Sequence, residues 1–113
     1  MKENIINVIN KVLEPYNVTA HFANNSNAIS VNSDDIDIWI RLLPVENKYK
    51  VEISSIGFVT KYRRKGIFTA LFNDLVQCDA VAKVVITSVC TSEMKNWCLK
   101  NGLNGDEFGN YTL

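Results

Sequence analysis

Cysteine and histidine are scarce in this chain of 113 residues. The three cysteines, Cys78, Cys90 and Cys98, form no C-x-x-C pair, and His21 is the single histidine. A disulfide framework uses an even set of cysteines, and a structural zinc site uses four clustered cysteine or histidine ligands. The composition therefore argues against both a disulfide-stabilised fold and a metal centre.

Net charge and long apolar runs are also absent. Twelve lysine and arginine residues balance twelve aspartate and glutamate residues, whereas a general nucleic-acid or membrane-surface binder has a basic surplus. No apolar run approaches the roughly 20 residues of a transmembrane helix, and the first residues lack the apolar core of a signal peptide. We expect a cytoplasmic protein with no membrane partner, in which any basic function is local. The length allows one domain with one core.

Apolar residues make up 47% of the chain, and their spacing predicts a mixture of helices and strands. Repeats of three and four residues are typical of helices, and alternation is typical of half-buried strands. In chain order the patterns predict a helix over 3–14, strands over 18–22, 28–31 and 36–42, a turn over 44–47, a strand over 49–59, a helix over 66–78, a strand over 83–89, a helix capped by 91–93 that runs to 101, and one terminal strand over 107–113.

The stretch over 49–89 has two further features. Its order of strand, helix and strand is typical of a crossover unit, in which the two strands are parallel and the connection is right-handed. Its first strand loses strict alternation at 55–58, beside Gly57. This loss indicates a β-bulge or a close approach of another group to the backbone.

The segment over 60–70, TKYRRKGIFTA, is the most informative part of the sequence. It is basic, and it joins the longest predicted strand to the start of an amphipathic helix. The first N–H groups of a helix have no intrahelical partner and lie at the positive end of the helix dipole, so they bind phosphate. Gly66 permits close approach. Neither G-x-x-x-x-G-K-[ST] nor G-x-G-x-x-G is present, so the phosphates would belong to a cofactor other than a nucleoside triphosphate or a dinucleotide.

Residues 53–75, ISSIGFVTKYRRKGIFTALFNDL, resemble motif A of the GCN5-related N-acetyltransferases (GNAT), in which a strand, an Arg/Gln-x-x-Gly-x-Gly/Ala loop and a helix bind the pyrophosphate of acetyl-CoA. Arg63, Gly66 and Phe68 occupy the defining positions, and Phe68 replaces the usual small residue. The resemblance implies two groups of cofactor-binding residues. The backbone pairs with the pantetheine arm at Phe58, Val59 and Thr60. The pyrophosphate is bound by the loop and helix start, through Arg63, Arg64, Lys65, Gly66, Ile67, Phe68 and Thr69.

Residues 84–103 are similar to motif B of the same family, a buried strand and a helix that ends in an aromatic-Tyr-x-x-x-Gly-Phe pattern. Trp97 and Gly102 match this pattern. Cys98 stands where the family often places the tyrosine that protonates the departing CoA thiolate, and Leu103 replaces the phenylalanine. The resemblance therefore extends from about residue 46 to the end of the chain.

The resemblance implies a fold class, a domain organisation and an activity. The fold is α+β, with a GNAT-like, mostly antiparallel central sheet, one parallel strand pair joined by a crossover helix, and helices on both faces. One domain spans 1–113, with an N-terminal helix and hairpin strands over 1–45 and a cofactor-binding core over 46–113. The activity is direct transfer of an acetyl group from acetyl-CoA to the primary amine of a protein lysine, a protein N-terminus or a small molecule, without a metal, by a monomer or homodimer.

Acetyl transfer to an amine needs a base for the amine and, helpfully, a proton for the leaving thiolate. Glu52 is the candidate base because it precedes Arg63 by eleven residues, a spacing similar to that of the strand glutamate in histone-acetylating members. The alternatives are an ordered water, and a solvated glutamate paired with a neighbouring lysine. Cys98 is the candidate acid, with a small buried hydrophobe as the alternative and Tyr111 or Tyr62 as other donors.

Several features have competing interpretations. A CoA-binding or partner-binding module without turnover fits the missing tyrosine. A nucleic-acid-binding domain would use the basic cluster over 61–65. The acidic group over 34–37 is either a solvated turn or a docking patch for a cationic amine, and Trp39 either lines an acceptor cleft or packs under the N-terminal helix. His21 is interpreted as a surface or packed histidine.

Overall fold

The computed structural model describes residues 1–24, 26–58, 66–87, 89 and 91–113, with the backbone alone described over 55–58. Within these residues the chain forms helices and strands in the order α1 (Lys2–Leu13), a 3-10 turn (Glu14–Tyr16), β1 (His21–Phe22), β2 (Ala28–Asn32), β3 (Ile36–Val45), β4 (Lys48–Phe58), α2 (Ile67–Gln77), β5 (Val81–Ile86), α3 (Ser92–Lys100), β6 (Asn104–Gly105) and β7 (Tyr111–Thr112). The order predicted from residue patterning is confirmed up to α3.

The strands form one sheet in the order β1-β2-β3-β4-β5-β7-β6. Neighbouring strands are antiparallel except β4 and β5, which are parallel. Because α2 connects β4 to β5, the predicted crossover helix is present. The fold is therefore of the predicted α+β class, with a mostly antiparallel sheet and one parallel pair among the described strands.

One face of the sheet carries the hydrophobic core. In β3 the residues over 36–42 are alternately buried and exposed. Ile40 is paired with Ile29 of β2 and Ile53 of β4. Ile53 is in turn paired with Ile86 of β5, and all four side chains are fully buried. A strand with alternate residues buried has one face on the core and the other toward water, so we call the second face the open face.

The helices lie together on the buried face. α1 buries Ile5, Ile9 and Leu13, which repeat at helical spacing, and α1 contacts α2. The indole ring of Trp97 in α3 makes an edge contact with the ring of Phe68 in α2. None of the helices in the described ranges combines the length and hydropathy that crossing a bilayer requires. The strand side chains of the open face that are described are exposed or half-buried and mostly polar.

The turn expected over 44–47 is shorter than predicted. β3 continues through Val45 and β4 begins at Lys48, so the turn consists of Glu46 and Asn47. Glu46 has a φ of +56°, which is the left-handed conformation that tight two-residue hairpins use. Pro44 is accommodated because it lies near the end of its strand rather than in the middle.

The first and the last predicted strands both differ from the prediction. β1 contains only two residues, and the preceding Ala20 N–H donates to the side-chain oxygen of Asn10 at 2.7 Å instead of to a strand. The C-terminal segment is a hairpin of β6 and β7 rather than one strand, and β7 also pairs with β5. Strands of two residues are too short to produce a detectable alternation, so long-range pairing defines them.

Candidate functional site

The parallel strands β4 and β5 part from each other at one edge of the sheet. Their pairing ends with Ile53 opposite Ile86, and the Thr87 N–H donates to the Ile53 carbonyl at 2.9 Å. β4 then continues to Phe58 and pairs with β3. Within the described residues, no residue of β5 is paired with 54–58 of β4. We call this opening the β4–β5 split, and the carboxyl ends of parallel strands are where ligands bind in open α/β sheets.

β4 carries a bulge at the same edge. Between the pairs Trp39–Ser54 and Asp37–Gly57, the chain advances two residues in β3 and three in β4. This register shift confirms the irregularity that the sequence predicts beside Gly57. A bulge leaves an extra residue outside the strand ladder, so it changes the direction of backbone groups next to the split.

α2 starts at this edge of the sheet. Because β4 and β5 are parallel, the connecting helix must run back along the sheet from the end of β4. Gly66 precedes the helix in the left-handed region, with φ +74° and ψ +10°, and no side chain among the described residues caps the first N–H groups. The Ala70 N–H makes a bond to the Gly66 carbonyl, so the N–H groups of 67–69 precede the first intrahelical bond. The first turn has no acidic residue, and its positive end is therefore unneutralised from within the helix.

The predicted cofactor-binding residues fall partly within this site. The structure describes the backbone of Phe58 and the residues over 66–69. The side chains of Ile67 and Phe68 are buried in the core, so their backbone groups are left for a ligand. The Thr69 hydroxyl accepts a hydrogen bond from the Trp97 indole N–H at 3.0 Å. The remaining members lie outside the described residues, and their role stays a prediction: Val59, Thr60, Arg63, Arg64 and Lys65.

A cavity of about 280 Å³ lies on the open face beside the split. Its floor and walls come from β4, β5, β7, β6 and the loop between the last two strands, through Lys50, Glu52, Lys83, Val85, Thr87, Asn104, Gly105, Asp106, Asn110 and Thr112. Sequence reasoning identified only Glu52 in this set. The one available signal was the polar alternation of 50–54, which is equally typical of strand positions that face water.

Comparisons with known proteins bear on this architecture. No family profile and no curated protein matches the sequence. Among solved structures, the chain is similar to Arabidopsis thaliana Naa50 in complex with the bisubstrate analogue CoA-Ac-MVNAL, at 12% identity and a TM-score of 0.51, over 99% of this chain and 91% of that one. It is also similar to Arabidopsis thaliana NAA60 in complex with a bisubstrate analogue, at 12% identity and a TM-score of 0.51, over 79% of this chain and 74% of that one. The chain has the GNAT fold.

Glu52 lies on the open face of the GNAT sheet and is paired with Val85, one pair before the last pair, Ile53–Ile86, where the split begins. Its carboxylate is 3.5 Å from the Lys50 ammonium and 3.8 Å from the Arg41 guanidinium, and its side chain is 19% exposed. The lysine pairing that the sequence left open as an alternative is therefore present. The carboxylate also lines the cavity, next to Val85 of β5. Glu52 as the base remains a prediction, with its position beside the split as support.

Cys98 lies in the hydrophobic core. Its side chain is fully buried, and burial raises the pKa of the thiol to about 11. The thiol is therefore protonated at neutral pH, but it is enclosed by the core rather than directed into the split. This position matches the small buried hydrophobe that the sequence analysis gave as the alternative.

The other residues singled out from the sequence lie in different places. The Tyr111 ring is buried on the core face, and Tyr62 lies outside the described residues. His21 is exposed on β1, at the far edge of the sheet. Trp39 is 37% exposed and lies on the open face with Asp37, so it does not pack under α1. Among the described residues, no cluster of three or more histidine, cysteine, aspartate or glutamate side chains could hold a metal ion.

Proposed function

We propose that this protein is an acetyl-CoA-dependent N-acetyltransferase that acts on a primary amine. The observation that carries the proposal is the coincidence of the β4–β5 split, the β4 bulge and the uncapped start of α2 at one edge of the sheet. Naa50, to which the chain is similar in fold, was solved with an analogue that contains CoA.

The chemistry of acetyl-CoA fits this edge. The pantetheine arm contains amide groups, which can pair with the backbone of β4 over 54–58 as an added strand would. The pyrophosphate suits the positive end of α2, where N–H groups of 67–69 are available. At Gly66 an added Cβ would meet no atom of the described residues within 4 Å, so on that side the backbone is open to a ligand. The basic segment over 61–65 directly precedes this glycine in the sequence.

In the proposed reaction, the amine nitrogen forms a bond to the acetyl carbonyl carbon, and the bond from that carbon to sulfur breaks. Glu52 takes a proton from the amine, directly or through a water, because its carboxylate lies beside the split. Backbone N–H groups near the bulge stabilise the negative charge that develops on the carbonyl oxygen. Cys98 is enclosed in the core, so the thiolate takes its proton from water, and the proton that Glu52 accepted returns to that water.

Isothermal titration with acetyl-CoA tests the proposal, with a matched pair of glycine variants. Gly66 and Gly102 have similar backbone conformations, with φ of +74° and +81°, and at neither position does a described residue place an atom within 4 Å of an added Cβ. A glutamate therefore costs about 1–2 kcal/mol of backbone strain at either position. Only Gly66→Glu places a carboxylate at the start of α2, where it repels phosphate.

We expect the wild-type protein and Gly102→Glu to bind acetyl-CoA and Gly66→Glu to lose binding. Circular dichroism checks that both variants are folded. A wild-type protein that does not bind acetyl-CoA, or a Gly66→Glu protein that binds as tightly as Gly102→Glu, contradicts the proposal.

A CoA-binding module without turnover is the second candidate. The observation that favours it is the full burial of Cys98, which removes a proton donor at the position where the resembling family often has tyrosine. Acetyl transfer measured on a panel of amines and on cell-lysate proteins separates the two candidates. Retained affinity for acetyl-CoA without transfer to any acceptor favours the module.

A further inference from the structure

The cavity on the open face is continuous with the proposed reaction site. Thr87, whose N–H makes the last bond of the β4–β5 pair, lines the cavity at one end. Lys50 and Lys83 line it further along the same two strands. An acceptor that places its amine at the split would therefore extend its other end into this cavity.

The two lysines lie side by side. Lys50 of β4 and Lys83 of β5 are register partners in the parallel pair. Side chains at directly opposed positions have Cβ atoms about 5 Å apart, and like charges at such positions destabilise a sheet unless something neutralises them. The Glu52 carboxylate neutralises the Lys50 ammonium at 3.5 Å, so the Lys83 ammonium is the one that an anionic ligand would stabilise.

The carboxylates of the cavity are already engaged. Glu52 is shared between Lys50 and Arg41. One oxygen of Asp106 accepts hydrogen bonds from the Phe108 and Asn110 N–H groups, at 2.8 and 2.9 Å. These bonds from backbone donors hold the pKa of Asp106 below its ordinary value. In the part of the chain that the structure describes, no carboxylate lies within 4.0 Å of the Lys83 ammonium.

Neutral hydrogen-bonding groups complete the lining. Thr87 and Thr112 contribute hydroxyl groups, and Asn104 contributes an amide from the opposite wall. The two hydroxyls donate to the carbonyls of Ile53 and Val84, at 3.4 and 3.5 Å, so the Asn104 amide and the ammonium groups are the donors that a carboxylate ligand can use. The cavity volume of about 280 Å³ is below the 300–1,000 Å³ that is typical for drug-sized ligands, so the occupant is small.

We propose that this cavity binds a carboxylate of the acceptor, and that the substrate class is a small amine that carries a carboxylate. This inference rests on the proposed acetyltransferase function. Lys50 precedes Ser54, where the split begins, by four residues, which is about 13 Å of strand. The lysine side chain covers part of that distance. The Glu52 carboxylate lies within that distance, 3.5 Å from the Lys50 ammonium, so the amine and the carboxylate of the acceptor bind at adjacent places.

Three acceptors of equal chain length test the inference. Hexylamine, 1,6-diaminohexane and 6-aminohexanoate differ only in whether the second end is neutral, cationic or anionic. We expect kcat/KM for 6-aminohexanoate to exceed that for hexylamine by about tenfold or more, as one charged contact gives, and 1,6-diaminohexane to be the poorest acceptor. Equal rates, or a preference for the diamine, overturn the inference.

Lys83→Gln assigns the preference to the cavity. This change removes the ammonium that has no carboxylate partner among the described residues and leaves the ion pair of Lys50 with Glu52 in place. We expect the ratio of kcat/KM for 6-aminohexanoate over hexylamine to fall toward one. Lys95→Gln, at an exposed position on α3, is the matched control and should keep the wild-type ratio. A ratio that Lys83→Gln leaves unchanged overturns the assignment.

A binding measurement separates this inference from the proposed function. With 15N-labelled protein and no acetyl-CoA, we expect 6-aminohexanoate to shift the amide signals of Thr112 and Asn104, and Lys83→Gln to abolish the shifts. If these shifts occur while acetyl-CoA does not bind, the proposed function fails and the carboxylate site stands. If acetyl-CoA binds and hexylamine is acetylated but 6-aminohexanoate produces no shift, the carboxylate site alone is refuted.

Discussion

The contact between α3 and α2 depends largely on Trp97, and a double-mutant cycle tests this dependence. The indole N–H of Trp97 donates to the Thr69 hydroxyl at 3.0 Å. The same ring meets the rings of Phe68 and Phe72 edge-on, with centroids 4.7 and 5.3 Å apart. α3 has a single buried residue, Cys98, so the half-buried indole provides much of the remaining attachment to α2.

The expected magnitudes follow from these contacts. Thr69→Val keeps the shape of the side chain but leaves the half-buried indole N–H without its acceptor, which should lower the free energy of unfolding by about 1 kcal/mol. Trp97→Phe removes the donor and part of the ring, at a cost of about 1–3 kcal/mol. In the Trp97→Phe background the hydroxyl has lost its donor, so Thr69→Val should cost about 1 kcal/mol less than it does in the wild type.

Urea denaturation of the four proteins at pH 7, followed by circular dichroism at 222 nm, measures the coupling. Thr19→Val is the control, because Thr19 is exposed before β1 and its change should add to that of Trp97→Phe without coupling. A coupling energy for Thr69 and Trp97 within about 0.3 kcal/mol of zero would refute the reasoning, since it would mean that the bond contributes nothing to the attachment of α3.

Two further predictions concern buried positions. Burial raises the pKa of the Cys98 thiol to about 11 in the folded state, against about 8.5 in the unfolded chain. The free energy of unfolding is therefore unaffected by this thiol below pH 8.5, and it falls by about 3 kcal/mol as the pH rises from 8.5 through 11. Urea titrations from pH 7 to 11 should show this loss as a steeper decline for the wild type than for Cys98→Ala, and parallel declines would contradict it. Gly105→Ala would place a Cβ 2.5 Å from the Tyr111 ring, and because that ring is buried we expect a loss of roughly 1–3 kcal/mol in the free energy of unfolding. Asn104→Ala, at the neighbouring exposed position of β6, is its control in the same denaturation assay, and an equal loss in both would refute the steric argument.

The sequence predicts best the elements that are defined by their own neighbours along the chain. The alternation over 36–42 specifies which face of β3 is buried, because each residue on the core face is apolar and each intervening one is polar or amphipathic. The lost alternation beside Gly57 locates the bulge of β4 within a few residues. The change of period after Gly66 locates the start of α2 within one residue.

The elements that depend on distant partners escape such patterns. β6 and β7 have two residues each, and they form because β7 pairs with β5 on one side and with β6 on the other. The spacing of Met94, Trp97 and Cys98 indicates one face of α3, but the burial of that face against α2 depends on residues distant in the sequence. Lys50 and Lys83 are opposed only because β4 and β5 adopt one particular parallel register.

The distinction between local and distant interactions also limits which partners a net charge can exclude. A chain with balanced charges lacks the overall field that attracts long polyanions, yet charges further apart than about 8 Å at physiological ionic strength act almost independently. Asp34 and Asp35 lie at the turn between β2 and β3, and Asp37 lies at the start of β3. Lys50 and Lys83 lie at the other end of the sheet, near the starts of β4 and β5. A local excess of positive charge is therefore compatible with a total of zero. Neutrality excludes partners that are recognised by the sum of charges, and it leaves open small anionic ligands, which are recognised by two or three groups at one place.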